Sequence, residues 1–363
     1  MRNYAKRHSR ITGVPITIPL HFGTTIHHEA QLMFCYQCKD AAGGSGCVAT
    51  GECGKSAVCA ALQDFLVEMT LGVSVYAARA NELGAFDGDV NDFIQNALIA
   101  TMTGVNHNVQ SIVGLIHQAA GVRGLAKTLY EIGCAQTRTE PYELTGVWDV
   151  SPAEDLDMLL KQASCFSIPH RRRQEGEDVV NQQELILYGL KGIAKVLQKR
   201  KNRPHDFHLE TRFNELLDFL AGSPDDVNQL HKVALETGRL YLEVQEAQHD
   251  ENRPLPKSFE NIIDRDNPCR SVTIEINGEE ELSDALRFIK AYRSHWLRDC
   301  EQKSVSEWSV DRIEPFGLNI EFNWTSQESV SFYLAVRSMG IDNIRLNPHP
   351  AFLKKRSLAK AFI

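Results

Sequence analysis

Residues Gln63 to Ser74 (Gln-Asp-Phe-Leu-Val-Glu-Met-Thr-Leu-Gly-Val-Ser) align without a gap with Gln183 to Ala194 (Gln-Glu-Leu-Ile-Leu-Tyr-Gly-Leu-Lys-Gly-Ile-Ala), 120 positions further on. The first copy lies in an apolar stripe at Ala61, Leu62, Phe65, Leu66, Met69 and Val73, the three- and four-residue spacing of a helix with one buried face. Each copy is followed by a polar turn and another stripe: Val90, Ile94, Leu98 and Met102 after the first, Phe213, Leu216, Leu217 and Leu220 after the second. A repeated helical unit cannot bury its apolar face alone, so the economical expectation is a duplicated three-helix bundle. The turn at Glu82–Asp89 carries Gly84, Asp87 and Gly88, residues that end one helix and start the next. Further helices are expected from about Val109 to Gly121 and from about Leu125.

Beyond Asn252 the texture changes. Pro254, Pro256 and Pro268 punctuate a linker and hold its backbone away from helix. Val272–Ile276, Leu318–Phe322 and Asn343–Leu346 read as strands, and Glu280–Tyr292 and Gln327–Met339 as helices. Such alternation implies a parallel sheet, here a small, truncated Rossmann-like α/β unit without a G-x-G-x-x-G loop. The expected protein is mainly α. It has a leader or disordered tail at 1–32, a helical-bundle domain at 33–252, a linker at 253–268 and a small α/β segment at 269–363.

The chemistry concentrates in cysteine. Of nine cysteines, five lie between Cys35 and Cys59, while Cys134, Cys165, Cys269 and Cys300 are scattered singly. A disulfide scaffold spreads its cysteines through a short secreted chain, whereas a local knot points to a metal or cluster site in a reduced compartment. The run Cys35-x2-Cys38-x8-Cys47-x5-Cys53 offers four soft thiolate ligands, and Gly43-Gly-Ser-Gly46 lets the backbone turn close to an inorganic core. Structural zinc favours two short C-x2–4-C pairs; the wider second spacing favours iron–sulfur and leaves zinc open.

Other patterns carry less. Ala49-Thr-Gly-Glu-Cys-Gly54-Lys55-Ser56 is one glycine short of a phosphate loop, but no apolar strand precedes it, as such a loop requires. His107 and His117 fall on the helical pattern, and His170 through Arg173 reads as a solvated basic loop. No Ser/His/Asp or paired-carboxylate spacing stands out. The 363 residues leave room for two domains, and a 43% hydrophobic content is too high for disorder. No run of eighteen apolar residues occurs, so no membrane-spanning helix is expected. The net charge of −8 argues against nucleic acid as a partner. Residues 1–32 carry Arg2, Lys6, Arg7 and Arg10 and no acid before Glu29, as transit peptides do. Pro15 and Pro19 interrupt any amphipathic helix there, which makes a disordered tail or a start at Met33 the simpler expectation.

The string Met33-Phe-Cys-Tyr-Gln-Cys38, the spacing to Cys47 and Cys53, and the following Gly54-Lys55 and Ala61-Leu-Gln-Asp64 resemble the amino terminus of hybrid-cluster (prismane) proteins. That family includes the hydroxylamine reductases, and nitric oxide reduction is attributed to it. The likeness continues through Val90–Ile94, Gly104–Asn106 and Tyr188–Gly192, and more weakly to Pro256. Asn323–Val330, Met339-Gly340, Asn343–Leu346 and Pro350–Phe352 are similar to the family's last α/β segment. The resemblance implies a start at Met33, two helical bundles, and a [4Fe-4S] cubane on Cys35, Cys38, Cys47 and Cys53. It also marks departures. Where the family supplies a glutamate and a lysine to a second, hybrid Fe–S–O cluster, this chain has Ser326 and Glu328. Asn277-Gly278-Glu279 stands where the family has Ser-Gly-His, and only Cys269 and Cys300 lie in this half. The expectation is a shortened relative that keeps the cubane and lacks the hybrid cluster. It would pass electrons from a redox partner protein, with a full-length relative among the candidate partners, no nucleic acid and no membrane. A homo-oligomer is open, and the expected location is the cytoplasm, or an organelle if 1–32 is a transit peptide. Two alternatives stand: a working hydroxylamine or nitric oxide reductase with a rearranged cluster, and a structural or regulatory partner of a full-length relative.

Overall fold

The structure is a computed structural model. It describes residues 33–38, 46–199, 204–247, 272–276, 278, 281–291, 318–322, 328–341 and 344–346. The leader, the linker at 253–268, Cys269, Cys300, Asn277, Glu279 and Ser326 lie outside the described residues.

Eight helices precede the first strand: α1 (Ala57–Glu82), α2 (Gly88–Ala100), α3 (Val109–Thr137), α4 (Leu156–Ser164), α5 (Ile168–Glu175), α6 (Glu177–Gln198), α7 (Phe207–Ala221) and α8 (Val227–Glu246). The polar turns between the stripes supply the caps. Ser56, Asp87, Asn108, Asp206 and Asp226 each accept from a backbone N–H of the first turn they precede, satisfying donors that the helix itself leaves open. α6 has no such cap and begins directly after Gly176, whose φ of 94° lets the chain turn out of α5.

The element order repeats. α1 packs against α2 and α3, and α6 against α7 and α8. The 120-residue offset carries Ala57, the first residue of α1, onto Glu177, the first residue of α6. The two halves interlock through α1 against α7 and α2 against α6, and Asn214 of α7 donates to Asn91 Oδ1 of α2 over 2.7 Å. The mainly α, duplicated expectation holds. α1 is long and apolar enough to cross a membrane by length and composition, but it is interior to the protein. Its apolar surface is covered by α2, α3, α4 and α7.

One boundary needs correction. The pattern divided residues 109–137 into two helices at Gly121, yet α3 runs unbroken. Neither Gly121 nor Gly124 takes a positive φ, and Gly-Val-Arg-Gly-Leu offers no residue to cap a new helix. A glycine inside a helix costs propensity, about 1 kcal/mol against alanine, without by itself ending the helix. The chain stops instead at Arg138, in the left-handed region with φ 55°.

The last part is a three-stranded parallel sheet, β1 (Val272–Ile276), β2 (Leu318–Phe322) and β3 (Ile344–Leu346), in the order β1-β2-β3. A helix α9 over 281–291 lies between β1 and β2 in sequence, and α10 (Glu328–Ser338) between β2 and β3. α10 lies on α6 and α8 at glycine-lined crossings. Ser331 Oγ donates to Gly189 O over 2.8 Å. A Cβ on Gly238 would stand 2.1 Å from Leu334 O, so only glycine admits this approach. The buried apolar residues of α1, α6, α8, α9 and α10 form one continuous core.

Candidate metal centre

The cysteine segment folds back on itself before α1. Cys35 and Cys47 form an antiparallel bridge, N–H to O, at 2.9 Å and 2.7 Å. Gly46 enters it at φ 95°, with its open face against the Phe34 ring. A second bridge joins Thr50 to Ser56, and between them Gly54 (φ 83°) turns the chain. Gly51 packs so close that a Cβ there would meet Cys53 Sγ at 3.1 Å. Cys38 and Cys47 are buried in a small apolar cluster with Met33 and Ala60, against which Cys35 and Ala57 pack. Cys53 is exposed in the adjoining turn. Among the described residues no three His, Cys, Asp or Glu side chains converge on a single metal ion. In a four-iron cubane each thiolate takes a different iron, so its ligands need not converge on one point. Four thiols with no disulfide among them, glycine-tight backbone and a small apolar cluster around Cys38 and Cys47 are a donor set that could hold such a group.

The floor beneath these cysteines is ionic. Lys55 is 1% exposed, and its Nζ lies 4.0 Å from Cys35 Sγ. Burial pushes the Cys35 thiol pKa up, and Lys55 opposes that. Lys191 from α6 is equally buried, and burial lowers its pKa to about 8 against the pull of Glu184. Asp64 on α1 accepts from the Ile168 amide at the start of α5 over 3.1 Å. Burial and then the neighbouring Glu184 raise its pKa to about 7. Glu68, one turn along α1, is also raised by burial to about 7, with Arg171 opposing. Arg171 donates to Glu184 Oε1 over 2.6 Å and sits 3.8 Å from Glu175. Despite its own burial, those carboxylates hold its guanidinium charged.

Aromatic residues pin the cysteine segment to this floor. The Tyr36 hydroxyl donates to Asn181 Oδ1 over 3.2 Å, and its ring meets Tyr188 edge-on with centroids 5.5 Å apart. The Arg172 guanidinium lies 3.8 Å from the Phe34 ring centroid and also donates to Asn181 Oδ1. A cavity with about 30 Å³ of water-accessible space opens beside Asp64, Glu68, Arg171, Gln183, Glu184 and Lys191.

The sequence profile of the Prismane/CO dehydrogenase family matches residues 33–253, from just before Cys35 to just beyond α8. The chain belongs to this family. It is 36% identical over 220 residues to a hydroxylamine reductase of Acidithiobacillus ferrooxidans, covering 59% of this chain and 40% of the relative. Against that of Rhodospirillum rubrum it is 35% identical over 213 residues, covering 58% and 39%. Against that of Burkholderia lata it is 37% identical over 224 residues, covering 59% and 40%. The chain thus spans about two fifths of the length of the curated relatives it matches. Prismane-family proteins are iron–sulfur proteins, and the match covers both helical repeats and all four cysteines of the run. The resemblance drawn at 323–352 lies outside the matched residues.

Several expectations change in this prismane-family frame. His170 through Arg173 is not a solvated loop: it forms α5, and Arg171 and Arg172 turn inward onto Glu184, Gln183, Asn181 and Phe34. The Glu184 carboxylate and the Gln183 and Asn181 side-chain oxygens accept from the two guanidinium groups there. His107 lies in the α2–α3 connection rather than on a helix, because Asn108 caps α3 immediately after it. His117 is on α3 as expected. Lys55, which completed the near-phosphate-loop pattern, faces Cys35 instead. Glu328, noted for reversing a family charge, is buried at the start of α10, 3.9 Å from Lys195 and 3.6 Å from Lys199 of α6. Cys59 is buried in the first turn of α1, its Sγ 4.0 Å from Asn106 O. Tyr36, Asp64, Glu184 and Lys191 were not singled out as site residues. The signal was present, since the repeat aligns Asp64 with Glu184 inside otherwise apolar helix faces.

Proposed function

We propose that the chain is an iron–sulfur redox protein in which Cys35, Cys38, Cys47 and Cys53 hold one [4Fe-4S] cluster. The observation that carries this is the coincidence of a family match beginning at Met33 with four thiols on one glycine-tight turn. When bound, the cluster supplies one-electron transfer at a potential set by charge, hydrogen bonding and exposure. The chain's own residues do the rest. Met33, Ala57 and Ala60 exclude water from Cys38 and Cys47, and the Lys55 ammonium balances negative charge at Cys35. Cys53, exposed, brings one edge of the site to the surface, where a one-electron donor protein would dock. A full-length relative is one candidate partner. The hybrid cluster of the longer relatives is not part of this proposal, because only Cys269 and Cys300 follow the bundles.

The test is anaerobic purification of the full chain, iron and acid-labile sulfide analysis, and a hydroxylamine reduction assay with a dithionite-reduced dye. About four irons and four sulfides per chain without turnover support the proposal. Zinc without sulfide removes it. Seven or eight irons with turnover favour the working-reductase alternative.

A further inference from the structure

Asp64 and Glu184 occupy the same position of the two repeats, and both line the cavity walled by α1, α5, α6 and the end of α7. Asp64 and Glu68, spaced i and i+4 on α1, are only part-buried, while their neighbours Gln63, Phe65, Val67 and Met69 are buried. With Val67 and Leu71 they form the α1 wall of the cavity, and they are its two ionisable groups on this helix. Glu68 Oε1 is shielded and accepts no hydrogen bond among the described residues, and a cavity of this size and polarity takes an ordered water. Lys191, which also lines the cavity, and Lys55 both act on the Asp64 charge, and Lys55 Nζ lies 4.0 Å from Cys35 Sγ. Among the described residues the charged and titratable groups around Asp64 are Glu68 on its own helix, Glu184, Tyr188 and Lys191 from α6, Arg171 from α5, and Cys35 and Lys55 from the cysteine turn; the Ile168 amide is its neutral hydrogen-bond donor.

We propose that Asp64 takes up a proton from water, through the cavity beside Glu68, when the group held by the four cysteines gains an electron. The inference rests on the cluster proposed above. The balance is one electron in from a low-potential one-electron donor, and one proton in from solvent to form an O–H bond on the Asp64 carboxyl. Both leave on oxidation. An added negative charge at Cys35 competes with Asp64 for the same two lysines, and a proton on the carboxyl relieves that competition. The elevated pKa values of Asp64 and Glu68, both about 7, place this exchange at neutral pH.

The experiment is a spectroelectrochemical titration of the iron-loaded chain from pH 6 to 9, for the wild type, Asp64→Asn and Glu68→Gln. The wild-type midpoint should fall as pH rises, by up to about 59 mV for each tenfold drop in proton activity. Asp64→Asn, which keeps an acceptor for the Ile168 amide, should flatten that dependence, and Glu68→Gln should retain most of it. In case Asp64→Asn fails to fold, the redox-difference infrared spectrum of the wild type gives the same answer. Reduction should add a protonated-carboxyl band that shifts with carbon-13 aspartate. A pH-independent midpoint, an unchanged slope in Asp64→Asn, or no such band overturns the inference while leaving the cluster in place. Absence of iron and sulfide overturns the cluster and this inference together.

Discussion

Asp64 of α1 and Glu184 of α6, related by the internal repeat, sit on one cavity with Lys191 beside them, and burial, then the Glu184 charge, raise the cost of charging Asp64. That cost sets a pH dependence. Asp64 and Glu68 titrate near 7 in the folded chain, against about 4 for unfolded carboxyls. The folded chain therefore binds more protons between those values, and stability falls as pH rises through 7. Lys191, lowered to about 8, acts in the opposite sense only above that pH. Anaerobic urea denaturation should show a lower midpoint at pH 8 than at pH 5, and Asp64→Asn should shrink the difference. Equal midpoints in the wild type would contradict this.

Arg171 and Glu184 form the best-buried ion pair of the floor, at 2.6 Å. Arg171→Met leaves the Glu184 charge inside without its partner and should cost on the order of 3 kcal/mol. Adding Glu184→Gln removes the orphaned charge and should restore part of that loss. A double variant as unstable as the sum of the singles would place the cost elsewhere.

Lys55 stands 4.0 Å from Cys35 Sγ. Its positive charge favours the more negative, reduced form of anything bound there, so Lys55→Gln should move the midpoint potential to more negative values. An unchanged potential in the loaded variant would show that Lys55 does not sense the site.

The crossing of α8 with α10 depends on Gly238, where a Cβ would meet Leu334 O at 2.1 Å. Gly238→Ala should lose about 1–3 kcal/mol or more by overpacking against backbone. Gly121→Ala, in the middle of α3 with open space beyond it, should gain about 0.5–1 kcal/mol from helix propensity. Thermal melting of the two variants should shift in opposite directions.

Helices α1, α2, α6 and α7, the three strands and the cysteine turn were legible because each writes a periodic or dense local signal: the stripe from Ala61 to Val73, the runs at 272–276 and 318–322, and five cysteines between 35 and 59; α4, α5 and α8 were not read. The ionic floor was not. A lone Asp64 or Glu184 on a helix has the same local sequence whether it faces water or a lysine from another element, and only the packing of α1, α5 and α6 decides. The Arg171–Arg173 run misled for the same reason, since a basic run is solvated unless acids elsewhere in the fold meet it. Gly121 misled by composition: glycine suggests a break, but without a cap residue nearby α3 continues through it.

The central claim is that the cysteine turn carries a cluster able to accept one electron. Electron paramagnetic resonance of the anaerobically purified, dithionite-reduced chain tests it most directly. The account predicts a signal of about one unpaired electron per chain, lost when Cys38 or Cys47 is replaced by serine. A chain that stays silent on reduction and contains zinc or no metal would contradict it.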